Sequence, residues 1–300
     1  MHLDRRPGMT DTDVLLVENA NASRVSAGLA EAISVLSEAG FDIDLRRPET
    51  PDEMDGLIRR EAGGEKRVVI AGGDGTIHAA LPALLDRQCG FGILPLGTAN
   101  DLALTLGIPS DPAAAARVLI DGHRRRIDLG VVNGVPFVNV ASVGLAVHIT
   151  RRLKDERKRQ WGRLGYLLTA LETLPEAEPF EATIHCDGRS HALNAHQITV
   201  GNGVHYGGGM TVAADAAIDD GALDVFVLET ASIPSLLAIA PALRNGRLVD
   251  EADVRTFRCS RLRIETDPAI MVSTDGEIAA STPAEFETLR SALEVFAPLP

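Results

Sequence analysis

"VVIAGGDGTIHAAL", Val68 to Leu81, runs from an apolar strand signal through a glycine turn into a helical pattern. A strand that turns on glycines into a helix is the unit of a parallel α/β sheet. The same order surrounds it. "DVLLV" (13–17), "FDIDL", "RVVIA" and "FGILPL" read as strands. Between them stand helical patterns over 23–39, "PDEMDGLIRREA" and "IHAALPALLDR", and another helix follows "GTAND". Gly40 sits where the residue after a helix C-terminus belongs.

Past about residue 130 the rhythm changes. "RIDLGVV", "VPFVNVAS", "EATIHCD", "HALNAHQITVG", "LDVFVLE", "DVRTFRC", "RLRIET" and "AIMVST" read as strands, separated by turn signals such as "NG", "DG", "GNG" and "DDG". Helices are expected near 160–174 and 233–244. The prediction is an α/β domain with a parallel sheet over 1–128, and a mostly antiparallel β domain over 129–300. The change of rhythm places the hinge near 121–130.

The chain has 300 residues, 45% of them hydrophobic and 4% aromatic, enough for two cores without staples. Cys89, Cys186 and Cys259 have no metal spacing and read as reduced thiols. The polar start carries no secretory pattern, and no apolar run approaches the roughly 20 residues that span a bilayer. These features predict a soluble, cytoplasmic protein. A formal net charge of −13 excludes nucleic acid as a main partner, because phosphate backbones need basic surface.

The glycine turn raises a chemical question. Gly72, Gly73 and Gly75 would let backbone approach an anion at a helix N-terminus, which attracts phosphate. Asp74 in their midst would repel it unless a cation or proton lies between. Asp74 therefore points to a Mg²⁺-nucleotide, or to a hydroxyl about to attack one. The plain alternative is a tight corner with Asp74 capping the helix. The second junction, "PLGTAND", favours phosphate binding, with Gly97, Thr98 and either Asn100 or Asp101 as helix cap. Neither GxxxxGK[ST] nor a convincing GxGxxG is present, so a P-loop and a dinucleotide fingerprint are unsupported.

With these motifs in order, the sequence resembles the bacterial soluble lipid kinases of the diacylglycerol kinase catalytic-domain family, closest to the YegS-like branch. "GGDGT" (72–76) precedes "LPLGTANDLA" (94–103) and "LGIP". "IDLG" (127–130), "SVGLAVHIT" (142–150), "GNGVHYGGGM" (201–210), "IDDGALDVFVL" (218–228) and "DGE" (275–277) follow. GGDGT alone is shared with NAD kinases; the ordered set is specific.

The resemblance implies an NAD-kinase-like α/β domain, a C-terminal β-sandwich, an active site in the cleft between them, and a C-terminal tail returning to the first domain. It implies ATP as co-substrate and Mg²⁺ as cofactor. Asn19, Gly72, Gly73, Asp74, Gly75, Thr76, Gly97, Thr98 and Asn100 would bind nucleotide. Glu277 would be the general base, with Asp74 and Asp128 in the carboxylate–water–Mg²⁺ network. Asp220 would hold a structural Mg²⁺ with the carbonyls of Ala217 and Ala222. The acceptor would be a glycerolipid hydroxyl, diacylglycerol- or phosphatidylglycerol-like. The rivals are an NAD-kinase-like enzyme and a catalytically weak nucleotide- or lipid-binding regulator.

Departures from the family pattern fall at Ala20, Arg46 and Arg47, His78, Ala79, Leu104 and Ala214. "RRLKDERKRQWGRLGY" (151–166) holds seven basic and two acidic residues. It reads equally as a solvated helix face and as a docking patch for peripheral membrane contact. A homodimer is compatible with the family.

Overall fold

Apolar runs and their punctuation set the elements in a computed structural model of the chain, which describes residues 13–19, 26–63, 67–145, 147, 178–207, 209–211, 216–229 and 254–299. The helices expected near 160–174 and 233–244, and the basic stretch 151–166, lie outside the described residues. Two compact units emerge: Met1–Ile127 with Ser291–Pro300, and Asp128–Arg290.

In unit one, β1 (Asp13–Glu18), β2 (Asp42–Arg46), β3 (Arg67–Gly72) and β4 (Phe91–Pro95) form a parallel sheet in the order β2-β1-β3-β4. Val14–Val17, Val68–Ala71 and Phe91–Pro95 are buried throughout. Continuous burial is what a parallel strand covered on both faces requires. The helices are α1 (Ser26–Glu38), α2 (Pro51–Glu61), α3 (Asp74–Arg87), α4 (Asp101–Thr105) and α5 (Pro112–Asp121).

Two helix starts follow the ordinary capping rule. Thr50 accepts the Glu53 N–H ahead of Pro51, and Asp111 accepts the Ala114 N–H ahead of Pro112. Thr50 is thus engaged in opening α2. Helix α3 begins three residues before the predicted "IHAALPALLDR", so the GGDG turn itself enters the first helical turn.

The sequence pattern did not flag the last strand, β18 (Ala284–Ala297). Its end joins unit one, where Val295 pairs in parallel with Phe91. The Arg67 guanidinium lies 5.0 Å from the Phe41 ring and 4.9 Å from the Phe296 ring, and Arg124 lies 5.4 Å over Phe296. Arg67 also donates to the Leu119 carbonyl at 2.6 Å. These cation–π contacts fasten the last strand to the sheet.

Unit two is an antiparallel sandwich. One sheet runs β14 (Val254–Cys259), β13 (Leu223–Leu228), β10 (Gln197–Gly201), β7 (Val140–Gly144), β16 (Met271–Thr274), β17 (Glu277–Ser281). In the other, β15 (Arg261–Thr266) pairs with the start of β18 on one side and with β8 (Phe180–Cys186) on the other; β8 pairs with β9 (Arg189–Ala195). β5 (His123–Val132) pairs with β18 and with β6 (Val135–Phe137). Ala141, Val143, Ile198, Val200, Val225, Val227 and Val272 of the first sheet pack with Ile184, Leu262, Ile264 and Phe286 of the second. Alternation is plain in β15: Leu262 and Ile264 point inward, while Arg261 and Arg263 pair with Glu287 and Glu285 outside.

The turn signals behaved as the residues dictate. Asn133-Gly134, Asp187-Gly188 and Asp275-Gly276 each join paired strands with positive φ at both positions. That is the type I′ hairpin, which Asn-Gly and Asp-Gly favour. The predicted "VPFVNVAS" and "HALNAHQITVG" strands each break in two, at 138–139 and at His196. No helix among the described residues is long and apolar enough to cross a membrane.

Candidate functional site

In unit one the two glycine loops follow adjacent parallel strands, β3 and β4, at their C-terminal ends. Ligands bind at such ends in open α/β sheets. The loops meet backbone to backbone: a Cβ on Gly97 would lie 2.5 Å from the Gly73 Cα, and one on Gly73 would lie 2.9 Å from the Gly97 Cα. Only glycine at both positions allows this approach. A Cβ on Gly75 would meet nothing within 4 Å, so that position faces open space.

Asp74 does cap a helix, though not the one that begins at its own turn. Its Oδ1 accepts the Leu102 N–H at 3.1 Å, so Asp74 of the first loop caps the helix that follows the second. Asn100 stands at the N-cap of α4 with φ 55°, but its side chain turns back. Its Oδ1 accepts the Gly97 N–H at 2.9 Å and its Nδ2 donates to the Gly97 carbonyl at 3.0 Å. The expected side-chain cap from Asn100 or Asp101 is therefore replaced by one from Asp74. At α3 the cap is Gly73, with no side-chain bond to the first turn. Unlike α2 and α5, this helix keeps its first-turn amides clear of a capping side chain.

Thr76 is 5% exposed, and its hydroxyl accepts Asn19 Nδ2 at 3.1 Å. The pair ties the end of β1 to the start of α3. Thr98 and Gly97 are exposed. Arg47 pairs with Glu18 at 2.5 Å and Arg46 pairs with Asp44 at 2.8 Å. Leu104 is 46% exposed.

In unit two, one transverse row of the first sheet runs Val140, Gly201, Asp224, Arg258, each opposite the next. Asp275 joins the row by donating its N–H to the Val140 carbonyl at 2.9 Å. Asp275 Oδ1 accepts the N–H groups of Asn139 (2.9 Å) and Val140 (3.1 Å), and Oδ2 accepts that of Val138 (2.9 Å). One carboxylate thus clamps three consecutive amides and fixes the hairpin that presents Glu277, which is exposed at the first position of β17. Sequence reading named Glu277 and passed over Asp275; an Asp two residues before a site residue, in a two-residue turn, was the available signal.

Asp128 is 3% exposed. Its Oδ2 accepts the Gly221 N–H at 2.7 Å, and its N–H donates to the Ile218 carbonyl. Asn202, also 3% exposed, donates Nδ2 to the carbonyls of Asp128 and Val138. Asp128, Asn202 and the Asp275 clamp therefore form one hydrogen-bonded assembly. Asn202 Oδ1 and Thr274 Oγ1 are buried without a hydrogen-bond partner among the described residues. Such atoms are rarely left unpaired, so this end of the sheet keeps capacity for a water or a substrate group. Nearby, burial lowers the His205 imidazole from its ordinary value, favouring the neutral ring.

Asp220, expected as a metal ligand, is engaged here by hydrogen bonds. Its Oδ2 accepts the Ala217 N–H and its Oδ1 the Ala222 N–H, at 3.1 and 2.9 Å, and Arg258 donates to Oδ2. The amides of both Ala217 and Ala222 point at the carboxylate.

The cysteines also gave something the sequence had not shown. Cys186 and Cys259 both lie in the sandwich core, and burial raises both thiols above their ordinary value.

Residues 13–132 match the family described as "Diacylglycerol kinase catalytic domain", and residues 139–297 match "YegS C-terminal NAD kinase beta sandwich-like domain". A diacylglycerol kinase of Bacillus subtilis is 30% identical over 276 residues, covering 90% of each chain. The chain belongs to the diacylglycerol kinase family. A diacylglycerol kinase of Mycobacterium tuberculosis is 32% identical over 277 residues, covering 89% of this chain and 88% of its own. A crystal structure from Bacillus anthracis superposes with a TM-score of 0.80 at 27% identity, covering 95% of this chain and 97% of the other. This diacylglycerol kinase family member thus has the expected architecture: an α/β domain with a parallel sheet and an antiparallel β domain.

Proposed function

We propose that this protein transfers the γ-phosphate of ATP to a hydroxyl of a glycerolipid, diacylglycerol- or phosphatidylglycerol-like, with Glu277 as general base. The observation that carries the reading is the pair of glycine loops packed Cα against Cα beside the uncapped start of α3. First-turn amides and the positive helix end suit the phosphates of a nucleotide. Gly72, Gly73, Gly75 and Gly97 give backbone access, and exposed Thr98 offers a hydroxyl. Thr76, Asn19 and Asn100 hold the loops in shape through the bonds described above.

Phosphoryl transfer depends chiefly on positioning and charge neutralisation. In this reading Glu277 takes the proton of the lipid hydroxyl, the oxygen forms a bond to the γ-phosphorus, and the bond to the leaving ADP oxygen breaks. Asp74, a half-buried carboxylate at the phosphate loop, fits a Mg²⁺ that would neutralise the transferring phosphate; such an ion needs only one or two carboxylates plus the phosphates. Asp128, the other carboxylate of the proposed network, is held within its own unit by the Gly221 N–H. Asp275 is a positioning residue, since it acts through the hairpin that carries Glu277. The seven basic residues of 151–166 support contact with an anionic lipid surface.

The test uses purified protein, Mg²⁺ and γ-labelled ATP with a total bacterial lipid extract in mixed micelles, and NAD in a parallel tube. The expected result is a labelled lipid whose formation falls at least ~100-fold in Glu277→Ala while ATP binding is retained. Label on NAD, or no transfer by a protein that binds ATP, would overturn the reading.

A further inference from the structure

The turn 216–222 of unit two is the place where family resemblance implies a structural divalent cation. Magnesium accepts oxygen ligands and excludes N–H groups from its shell. At Asp220 the carboxylate is already engaged by donors, one of them a cation. Both carboxylate oxygens receive backbone N–H groups, from Ala217 and Ala222. Oδ2 receives a guanidinium from Arg258 as well. A divalent ion at this carboxylate would have to displace that guanidinium and would then be repelled by it.

Arg258 is not a chance neighbour. It lies on β14 directly opposite Asp224 of β13, and its Nη1 stands 3.8 Å from Asp224 Oδ1. One planar cation therefore serves two carboxylates, on the turn and on the strand that leaves it. A second guanidinium reaches the same turn: Arg290 donates to the Gly221 carbonyl at 3.3 Å. Charge for the carboxylates and a donor for a backbone carbonyl, the two things a structural metal would supply, both come from arginine side chains. Arginine suits this because its fork is planar and always charged.

We propose that Arg258 is the built-in cation of the 216–222 turn, standing where a divalent metal would otherwise sit, so that unit two is stable without metal. The turn it secures also supplies the Gly221 N–H that holds Asp128. The proposal is independent of which substrate is phosphorylated.

Thermal melting of the nucleotide-free full chain tests it, because without nucleotide the ion used for phosphoryl transfer is not read. The wild type is expected to melt at the same temperature in excess EDTA and in excess MgCl₂ or CaCl₂ at matched ionic strength. Arg258→Gln, which leaves Asp220 and Asp224 facing each other without their cation, should melt lower in EDTA by roughly 2–4 °C. Arg258→Lys should recover part of the loss and remain insensitive to metal. A wild-type melt that rises with Mg²⁺ or Ca²⁺, and no longer does so in Asp220→Asn, would overturn the proposal. So would an Arg258→Gln protein that melts with the wild type. Should Arg258→Gln fail to fold, the wild-type and Arg258→Lys melts still decide.

Discussion

Replacing Asp275 by asparagine separates the clamp from the turn. Asparagine tolerates the left-handed conformation that this position requires, at φ 47°. Its side-chain oxygen can keep the bonds from Asn139 and Val140, which share Oδ1. The other carboxylate oxygen becomes an NH₂ facing the Val138 N–H, so one bond at 2.9 Å is replaced by two opposed donors. A hydrogen bond to a charged acceptor is worth about 1.5–3 kcal/mol, and the half-buried site recovers part of that from water. The expected loss is about 2 kcal/mol, or roughly 4–8 °C in the melting of a domain of this size. Asp275→Ala should lose more, because all three amides lose their acceptor and alanine adds about 1–2 kcal/mol of left-handed strain. Scanning calorimetry of the nucleotide-free protein gives the melt. Turnover, measured on the same samples, should fall in kcat with the KM for ATP unchanged, because Glu277 is displaced while the glycine loops are untouched. An Asp275→Asn protein that melts within a degree of wild type and turns over normally would refute the clamp.

Four further outcomes are expected. Gly97→Ala places a Cβ 2.5 Å from the Gly73 Cα and should weaken ATP binding at least tenfold, about 1.4 kcal/mol. Gly75→Ala, whose Cβ meets nothing, should melt as wild type yet bind ATP more weakly; equal ATP titrations for Gly75→Ala and wild type would argue against phosphate at that turn. Asp74→Asn keeps an acceptor for the Leu102 N–H and should melt as wild type while losing Mg²⁺-dependent transfer, whereas Asp74→Ala should also lose about 1 kcal/mol of stability, read by urea unfolding. Burial raises the Cys186 and Cys259 thiols, so the folded chain keeps them neutral while the unfolded chain ionises near pH 8.5. Their contribution to stability is therefore full below that pH and declines above it. Both thiols should react with a disulfide reagent only slowly until the protein is unfolded, and fast labelling of the native state would contradict this.

Much of the fold was legible because single residue types force local geometry. Val14–Val17 of β1, Val68–Ala71 of β3 and all of β4 are apolar and buried, which a sheet covered on both faces explains. The Asn-Gly and Asp-Gly pairs announced three hairpins. What stayed hidden depends on partners far away in the chain. Asp74 caps a helix 28 residues on, and nothing near it says so. Asp275 looks like a turn former until Val138–Val140 close around it. The family resemblance implies Asp220 as a metal ligand, and only the fold brings Arg258 to it. The "RSALEVF" of β18 carries no clean alternation, because the two halves of that strand face different cores.

That last strand has a consequence for synthesis. The boundary between the units falls inside β18, at Arg290 and Ser291, and Phe296 then packs on Arg67 and Arg124. The parallel sheet made first on the ribosome therefore lacks its outermost member until the final residues have been translated. With elongation at about 5–20 residues per second, all of Asp128–Arg290 intervenes, a delay on the order of ten seconds or more. During that interval Phe91, buried in the finished fold, has no strand beside it on that edge. Domain order in the gene and order of completion are thus reversed: the second unit can close before the first does.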